Sequence, residues 1–214
     1  MKLAGLVAAL FALAACASPT PAPKPPCPTQ GPTAVDAQAT LEGAGRAVVD
    51  TNKGSFTIEL YPEAAPLATA NFVALARCGF YDGISFHRII SGFVAQAGDP
   101  QTRQNRGDFE GLGGGGPGYE FAIEPPAEGL NYDPYVVAMA NDTHTSGSQF
   151  FIDLADLNEA LERLYTIFGK VVAGTDVIDT IGKVPTNGPR GLPLDPVIIS
   201  TIRIEASPAA SPSG

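Results

Sequence analysis

The sequence has few of the residue types on which metal sites and nucleic-acid interfaces depend. Its 214 residues include three cysteines, two histidines and no tryptophan. The histidines, His87 and His144, are far apart, and no cysteine stands near them at a ligand spacing, so we expect no bound metal. Acidic residues outnumber basic ones, 22 to 13, for a formal net charge of −9. This charge argues against nucleic-acid partners and against electrostatic binding to anionic lipid.

Residues 1–15 have the pattern of a signal peptide: a lysine, a short apolar run and small residues. The run is too short for a transmembrane helix. It ends at Cys16 in Leu-Ala-Ala-Cys, which resembles the lipobox of bacterial lipoproteins and predicts cleavage before Cys16 and lipidation of it. The alternative is an ordinary signal peptide with a chance cysteine. The lipoprotein interpretation places the protein in a bacterial cell envelope, facing the periplasm or the exterior, with the lipid as its only membrane contact.

Composition divides the rest of the chain into three parts. Residues 16–45 are rich in proline and alanine, which predicts a semi-rigid tether. Residues 46–205 have the size and composition of one folded domain, and residues 206–214 form a tail with nothing to bury. Cys27 in the tether and Cys78 in the domain could form a disulfide in an exported protein, or could remain separate.

Within the domain, periodicity predicts many short strands and few helices. We expect helices over 66–77, 156–163 and 175–181. The predicted strands cover 46–51, 55–60, two segments within 86–97, 135–140, 148–152, 165–172 and 196–205. Because helices and strands are segregated rather than alternating, this order favours a mainly β fold, a closed antiparallel barrel of about eight strands with helices capping its ends.

The stretch from Phe86 to Asp99 contains an arginine within an apolar strand. Alternation predicts that Arg88 shares a face with Phe86 and Ile90, while His87 and Ile89 face the other way. Arginine stays charged, so Arg88 is either a structural ion satisfied by carbonyls or a cation presented to a ligand from an apolar wall.

Few other residues or motifs in the sequence could carry out catalysis. Gly111, Gly113 and Gly116 match a dinucleotide fingerprint by spacing, but no helical pattern follows them, so we interpret residues 111–118 as a surface loop and expect no cofactor. His87 is expected to be a core histidine, and no nucleophile or carboxylate pair has the partners it would need.

Several motifs together resemble the cyclophilins, a family of peptidyl-prolyl cis/trans isomerases built on an eight-stranded antiparallel barrel. The resemblance lies in residues 86–90 and 96–99, in Met139-Ala140-Asn141, in residues 147–152 and in Phe168-Gly169-Lys170-Val171. It covers residues 46–205 and implies an enzyme that rotates X-Pro bonds without a cofactor. With the export signal, it implies assistance to the folding of envelope or secreted proteins. The alternative is a proline-peptide-binding scaffold with little turnover.

The resemblance assigns roles to ten positions. Arg88 matches the family's catalytic arginine, and Gln96 matches the glutamine beside it. The expected walls of the proline pocket are Phe93, Val94, Phe151 and Leu161. The expected groove for the peptide before the proline is formed by Ala140, Asn141 and Gln149. Tyr165 stands where familiar members have a pocket histidine.

Strict alternation would not bring Phe93 and Gln96 to one side, so we expect a bend after Gly92. Ala160 stands where the family often has a tryptophan that supports cyclosporin binding, so binding of that drug is expected to be weak. The expected partners are proline-containing polypeptides, and the expected oligomeric state is a monomer.

Overall fold

The computed structural model describes residues 23–105, 107–141 and 145–207. Three α-helices lie in these ranges: α1 (Ala34–Leu41), α2 (Pro66–Arg77) and α3 (Thr175–Ile181). The strands are β1 (Arg46–Thr51), β2 (Gly54–Leu60), β3 (Ser85–Phe86), β4 (Arg88–Ile89), β5 (Val94–Ala97), β6 (Phe121–Ala122), β7 (Val136–Asn141), β8 (Thr145–Asp153), β9 (Ile167–Ala173), β10 (Thr186–Asn187), β11 (Leu192–Pro193) and β12 (Val197–Glu205).

The main sheet has the strand order β3-β12-β1-β2-β9-β7-β8-β5-β4, with β6 paired to β8 and every neighbouring pair antiparallel. The two ends of this order, β3 and β4, are consecutive in the chain and are separated only by His87. The sheet therefore curves into a nearly closed barrel. The prediction of a mainly β antiparallel barrel with a few helices is confirmed.

Neighbouring residues on the central strands face two different apolar clusters. On β8, Phe150 and Ile152 belong to the barrel interior, whereas Phe151 belongs to a second cluster on the other side of the sheet. Val137 and Met139 on β7 likewise face inward. Successive side chains of a strand point to opposite faces, so a strand that is apolar on both faces is covered on both. The second cluster supports the candidate site described below.

Helix α2 is the main helical contribution to the interior, and its bounds match the prediction. The ring of Phe72 lies 5.0 Å from Phe168 and 5.5 Å from Phe150, centroid to centroid. The carboxylate of Glu124 accepts hydrogen bonds from the first-turn N–H groups of Leu67 (3.0 Å) and Ala68 (2.8 Å), which satisfies donors that a helix start leaves unpaired. Among the helices of the described ranges, none is long and apolar enough to cross a bilayer.

Residues 23–45, here called the N-terminal strap, are docked on the domain, an arrangement that the prediction of a semi-rigid tether does not specify. Their second half forms α1, with the hydroxyl of Thr33 accepting from the N–H of Asp36, and α1 packs on α2 with Ala37 buried. Cys27 forms a disulfide with Cys78, at a Cα–Cα distance of 5.1 Å. The helix forms because this part is rich in alanine and begins at a capping threonine, while the prolines lie before it.

The helix predicted over residues 156–163 is wrong. This segment consists of turns, with a single helical-type bond from the N–H of Leu161 to the carbonyl of Leu157 (2.9 Å). The Asp156 carboxylate accepts from the backbone N–H of Asn158, and the Asn158 side chain accepts from the N–H of Tyr132. Short polar side chains that bond to backbone in this way compete with helix formation.

The predicted facing of Arg88 is also wrong. Phe86 and Ile89 both face the barrel interior, whereas Arg88 is half-buried and faces outward. Alternation fails because β3 pairs with β12 and β4 pairs with β5, so the chain leaves one ladder at His87 and enters another. The bend expected after Gly92 is present: Gly92 has φ +70°, and the N–H of Phe93 donates to the carbonyl of Ile90.

Candidate active site

Arg88 presents a cation at the edge of an apolar surface. It lies in register with Gln96 on β5, and its Cζ is 5.5 Å from the centroid of the Phe93 ring. Over the described part of the chain, no carboxylate forms an ion pair with its guanidinium. Desolvation lowers the pKa of Arg88, partly opposed by the nearby Tyr165, yet an arginine remains charged at neutral pH. Within the described residues, the contact that holds the guanidinium is therefore its packing on the Phe93 ring.

The apolar surface beside Arg88 is the second cluster, on the outer side of the barrel wall. Its buried centre includes Val94, Phe151 and Ile167, and the Phe151 ring meets Tyr165 edge-on at 5.3 Å. The cluster contains all of the predicted apolar and aromatic site residues: Phe93, Val94, Ala140, Phe151, Leu161 and Tyr165. Three of these residues lie on β7, β8 and β5, which are consecutive in the sheet around this wall.

Tyr132 fixes the segment that carries Tyr165. The Tyr132 hydroxyl donates to the carbonyl of Tyr165 (3.0 Å) and accepts from its N–H (3.1 Å). Its ring is buried in the second cluster, and desolvation raises the pKa of Tyr132. A tyrosine used in this way holds the Tyr165 ring against Phe151 although the surrounding chain consists of turns.

Three amide side chains lie beside the apolar cluster. Nε2 of Gln96 donates to Oε1 of Gln149 at 2.9 Å, and Nε2 of Gln149 donates to the carbonyls of Gly113 and Gly115, both at 2.8 Å. Nδ2 of Asn141 donates to the carbonyl of Leu164 at 2.8 Å. The amides therefore join β5 and β8 to the glycine-rich loop and β7 to the Tyr165 segment.

A groove of about 620 Å³ extends from these amides along the glycine-rich loop. It is lined by Gln96, Gln149, Ala140, Asn141, Gly147, Ser148 and residues 113–120. Its floor is tied to α2, because Nδ2 of Asn71 donates to the carbonyl of Gly147 (2.8 Å) and the Tyr119 hydroxyl donates to Oδ1 of Asn71 (2.9 Å). An extended peptide fits the shape and polarity of such a groove, since its backbone can bond to amides along one side.

One of the two histidines, His87, lies within the described residues. His87 is buried between β3 and β4, and both ring nitrogens lack a hydrogen-bond partner within the described residues. Burial lowers its pKa to about 4, so it is neutral at physiological pH. His144, like Cys16, lies outside the described residues. Across the described ranges, no group of three or more histidine, cysteine or acidic side chains could hold a metal ion.

The barrel and the site together define a class of protein that binds extended peptide on an outer wall and places a cation beside an apolar pocket. Residues 46–204 match the family model described as cyclophilin type peptidyl-prolyl cis-trans isomerase/CLD. Peptidyl-prolyl cis-trans isomerase A of Mycobacterium tuberculosis is 41% identical over 177 residues, covering 74% of this chain and 91% of the relative. Peptidyl-prolyl cis-trans isomerase B of Streptomyces anulatus is 40% identical over 177 residues, covering 74% and 95%.

Among solved structures, the cyclophilin type peptidyl-prolyl cis-trans isomerase of Cryptosporidium parvum superimposes with a TM-score of 0.66 at 33% identity, covering 77% of this chain and 99% of that one. A second crystal structure of that protein, in the presence of the dipeptide Ala-Pro, gives a TM-score of 0.65. The chain therefore belongs to the cyclophilin family. It is a peptidyl-prolyl cis–trans isomerase.

Sequence reasoning missed four residues that build the site: Tyr132, Asn71, Tyr119 and Asp99. Tyr132 belongs to the apolar cluster but lies outside every resembling motif, and the other three residues do not belong to that cluster. Asn71 stands in an apolar helical stripe, where core packing is the default interpretation, and Asp99 stands at the end of a strand. The signal that could have indicated Asp99 is the glycine run itself, because a loop with so many exposed backbone N–H groups needs an acceptor.

Proposed function

We propose that this chain accelerates rotation about X-Pro bonds of proteins in the bacterial cell envelope or secreted through it, with Arg88 as the catalytic residue. The observation that carries the proposal is the Arg88 guanidinium, which lies over Phe93 beside the apolar cluster and forms no ion pair with a carboxylate of residues 23–105, 107–141 or 145–207. The relative from Cryptosporidium parvum has been crystallised with Ala-Pro, which supports a site of this kind accepting an X-Pro unit.

The chemistry needs no covalent step. An X-Pro bond crosses a barrier of ~20 kcal/mol because rotation breaks amide resonance. As the bond twists, the proline nitrogen regains its lone pair and becomes an acceptor. Arg88 donates to this nitrogen from an apolar wall, where an electrostatic interaction is stronger than in water. The donor therefore favours the twisted state over either planar isomer.

The remaining site residues separate the two sides of the rotating bond. Phe93, Val94, Phe151 and Leu161 bind the proline ring, with Tyr165 completing the wall. Gln96, Gln149, Ala140 and Asn141 line the groove and hold the chain that precedes the proline. Holding one side while the other turns converts binding energy into rotation.

The proposed location rests on the signal peptide and Cys16, and the Cys27–Cys78 disulfide supports it. Structural disulfides persist in oxidising compartments such as the periplasm and the cell exterior. Expression of the wild type and of Cys16→Ser in a bacterial host with a labelled fatty acid tests the anchor. The wild type should carry label and sediment with membranes until detergent is added, and the variant should do neither. Equal labelling and equal partitioning of the two proteins would contradict the proposed anchor.

The competing scaffold function makes a different kinetic prediction. An isomerase at substoichiometric concentration increases the cis–trans exchange rate of a proline peptide, as measured by NMR exchange spectroscopy. A scaffold captures the peptide at stoichiometric concentration and leaves the exchange rate unchanged. We expect rate enhancement by the full chain, and capture without enhancement would favour the scaffold.

A further inference from the structure

Asp99 is a buried carboxylate around which the glycine-rich loop closes. It follows Gly98 at the end of β5 and has no exposed surface. Its Oδ2 accepts hydrogen bonds from the backbone N–H groups of Gly113 (2.7 Å) and Gly115 (3.2 Å). A Cβ on Gly115 would lie only 2.1 Å from Oδ1 of Asp99, so the loop can approach this closely only with glycine there.

The other side of the same loop faces the peptide groove. The carbonyls of Gly113 and Gly115 both accept from Gln149, at 2.8 Å each. A carbonyl oxygen can only accept, so the Gln149 amide must turn its NH₂ group toward the loop. Its Oε1 is therefore directed away from the loop, where it accepts from Gln96 at 2.9 Å.

The same reasoning fixes the orientation of the second glutamine. Because Oε1 of Gln149 is an acceptor, Gln96 must offer its NH₂ group, which leaves Oε1 of Gln96 as the end of the series. Gln96 is the residue in register with Arg88 across the β4–β5 ladder. The series thus ends at Oε1 of Gln96, an acceptor on the residue paired with the donor Arg88. If either glutamine amide were reversed, two donors or two acceptors would face each other.

We propose that Asp99 is a positioning residue of the isomerase: by holding the N–H groups of Gly113 and Gly115, it fixes the amide orientations of Gln149 and Gln96 beside Arg88. This inference rests on the proposed role of Arg88 and its neighbouring amides. Asp99 itself lies behind the loop and does not line the groove.

A purely structural role for Asp99 must be distinguished from this one. Oδ1 of Asp99 also accepts from the N–H of Gln101 (2.8 Å), at the start of a short 3₁₀ turn, Pro100–Arg103. The same turn offers a matched control. The buried hydroxyl of Thr102 donates to the backbone carbonyl of Asp99 (2.7 Å) and accepts from the N–H of Ser85 (2.9 Å), without touching the glycine loop.

The test compares Asp99→Asn with Thr102→Val in the full chain. Asparagine keeps the size of the side chain but cannot accept from both Gln101 and the two glycines. We expect the side-chain NH₂ signals of Gln149 and Gln96 in ¹H–¹⁵N spectra to shift in Asp99→Asn, and kcat/KM for a proline peptide to fall about tenfold. Thr102→Val should lower the melting temperature while leaving both readouts near wild type. Unchanged amide signals in Asp99→Asn, or equal loss of activity in the two variants, would overturn the proposal.

A double-mutant cycle identifies the route of the effect. If Asp99 acts through Gln149, Asp99→Asn should reduce kcat/KM in the wild type but hardly further in a Gln149→Ala background. Additive losses would overturn the proposal. If the wild type itself shows no turnover, the proposed function fails, and the amide signals still decide whether Asp99 orients the glutamines.

Discussion

At the scale of single residues, Asp153 is a carboxyl group buried away from water. It lies at the end of β8 opposite Val94, has no exposed surface, and neither carboxyl oxygen has a hydrogen-bond partner among the described residues. Burial raises its pKa to about 8, with a further contribution from Asp133. Since an aspartate in an unfolded chain titrates near 3.8, the folded state binds this proton more tightly. Its contribution to stability is complete below about pH 4 and is lost as the pH rises through about 8.

This sign gives a prediction for Asp153→Asn. Asparagine cannot ionise, so the variant should exceed the wild type in free energy of unfolding by about 1–3 kcal/mol at pH 8.5. At pH 3.5 the two proteins should be within about 0.5 kcal/mol of each other, because the aspartate is then neutral in the folded state and largely protonated in the unfolded state. Urea unfolding at both pH values measures the difference. A difference that does not change with pH would show that folding does not raise the pKa of Asp153.

Ala160 gives a second prediction at this scale. It is exposed and one residue before Leu161, which packs on the apolar cluster. Ala160→Trp adds a large ring and an N–H donor beside the apolar cluster, so cyclosporin affinity should increase about tenfold or more above the wild-type affinity, which we expect to be weak. Isothermal titration calorimetry measures the affinity, and turnover of a proline peptide should be nearly unchanged. Equal affinities would mean that the drug does not contact this position.

At the scale of elements, the N-terminal strap is an addition to the region that matches the family. It precedes residue 46, where the family match begins, and it packs on α2 through α1. The Arg77 guanidinium donates to the carbonyls of Thr40 and Glu42 at its end. Gly31 lies so close to Glu120 that a Cβ there would be 2.9 Å from the Glu120 carbonyl oxygen. The strap thus extends from the disulfide to the segment behind the peptide groove.

Removal of the disulfide should loosen the strap. The link between Cys27 and Cys78 spans 51 residues, and closing a loop of that size contributes about 2–4 kcal/mol. Cys27→Ser/Cys78→Ser should therefore lose stability of that order in urea, and amide hydrogens of α1 should exchange faster by mass spectrometry. The wild type treated with a reductant should behave like the variant. A variant as stable as the oxidised wild type would show that strap docking does not depend on the disulfide.

The same scale shows what the sequence could and could not predict. Helix α2 was predictable because Pro66 starts it, an apolar stripe runs along it and Gly79 follows it with φ +79°. Helix α1 was not predicted, because the prolines before it gave the whole segment the composition of a tether. Residues 156–163 had helical composition, but the Asp156 and Asn158 side chains bond to local backbone instead. The outward facing of Arg88 depends on a change of strand partner at His87, which no alternation pattern contains.

At the scale of the whole molecule, the pairing of strands around the barrel brings the site residues together. Arg88, Gln96 and Phe151 are successive register partners across β4, β5 and β8. Phe151 is far from the other two in sequence, so the segment that contains Arg88 could identify it as unusual but could not show which other segments surround it. The resemblance to the cyclophilins predicted these surroundings, because it assigned residues of separate segments to one site. It did not supply the hydrogen-bonded series behind them, which depends on the path of the glycine-rich loop.

Replacement of Arg88 is the most direct test of catalysis by this site. NMR exchange spectroscopy on an Ala-Pro peptide measures turnover, and the same spectra report peptide binding. Arg88→Ala should lower kcat/KM at least about 100-fold with a small change in peptide affinity, since the donor acts mainly on the twisted state. Arg203→Ala, which removes an exposed cation paired with Asp50, is the matched control and should retain wild-type turnover. An Arg88→Ala variant that folds normally and keeps most of its activity would contradict the account.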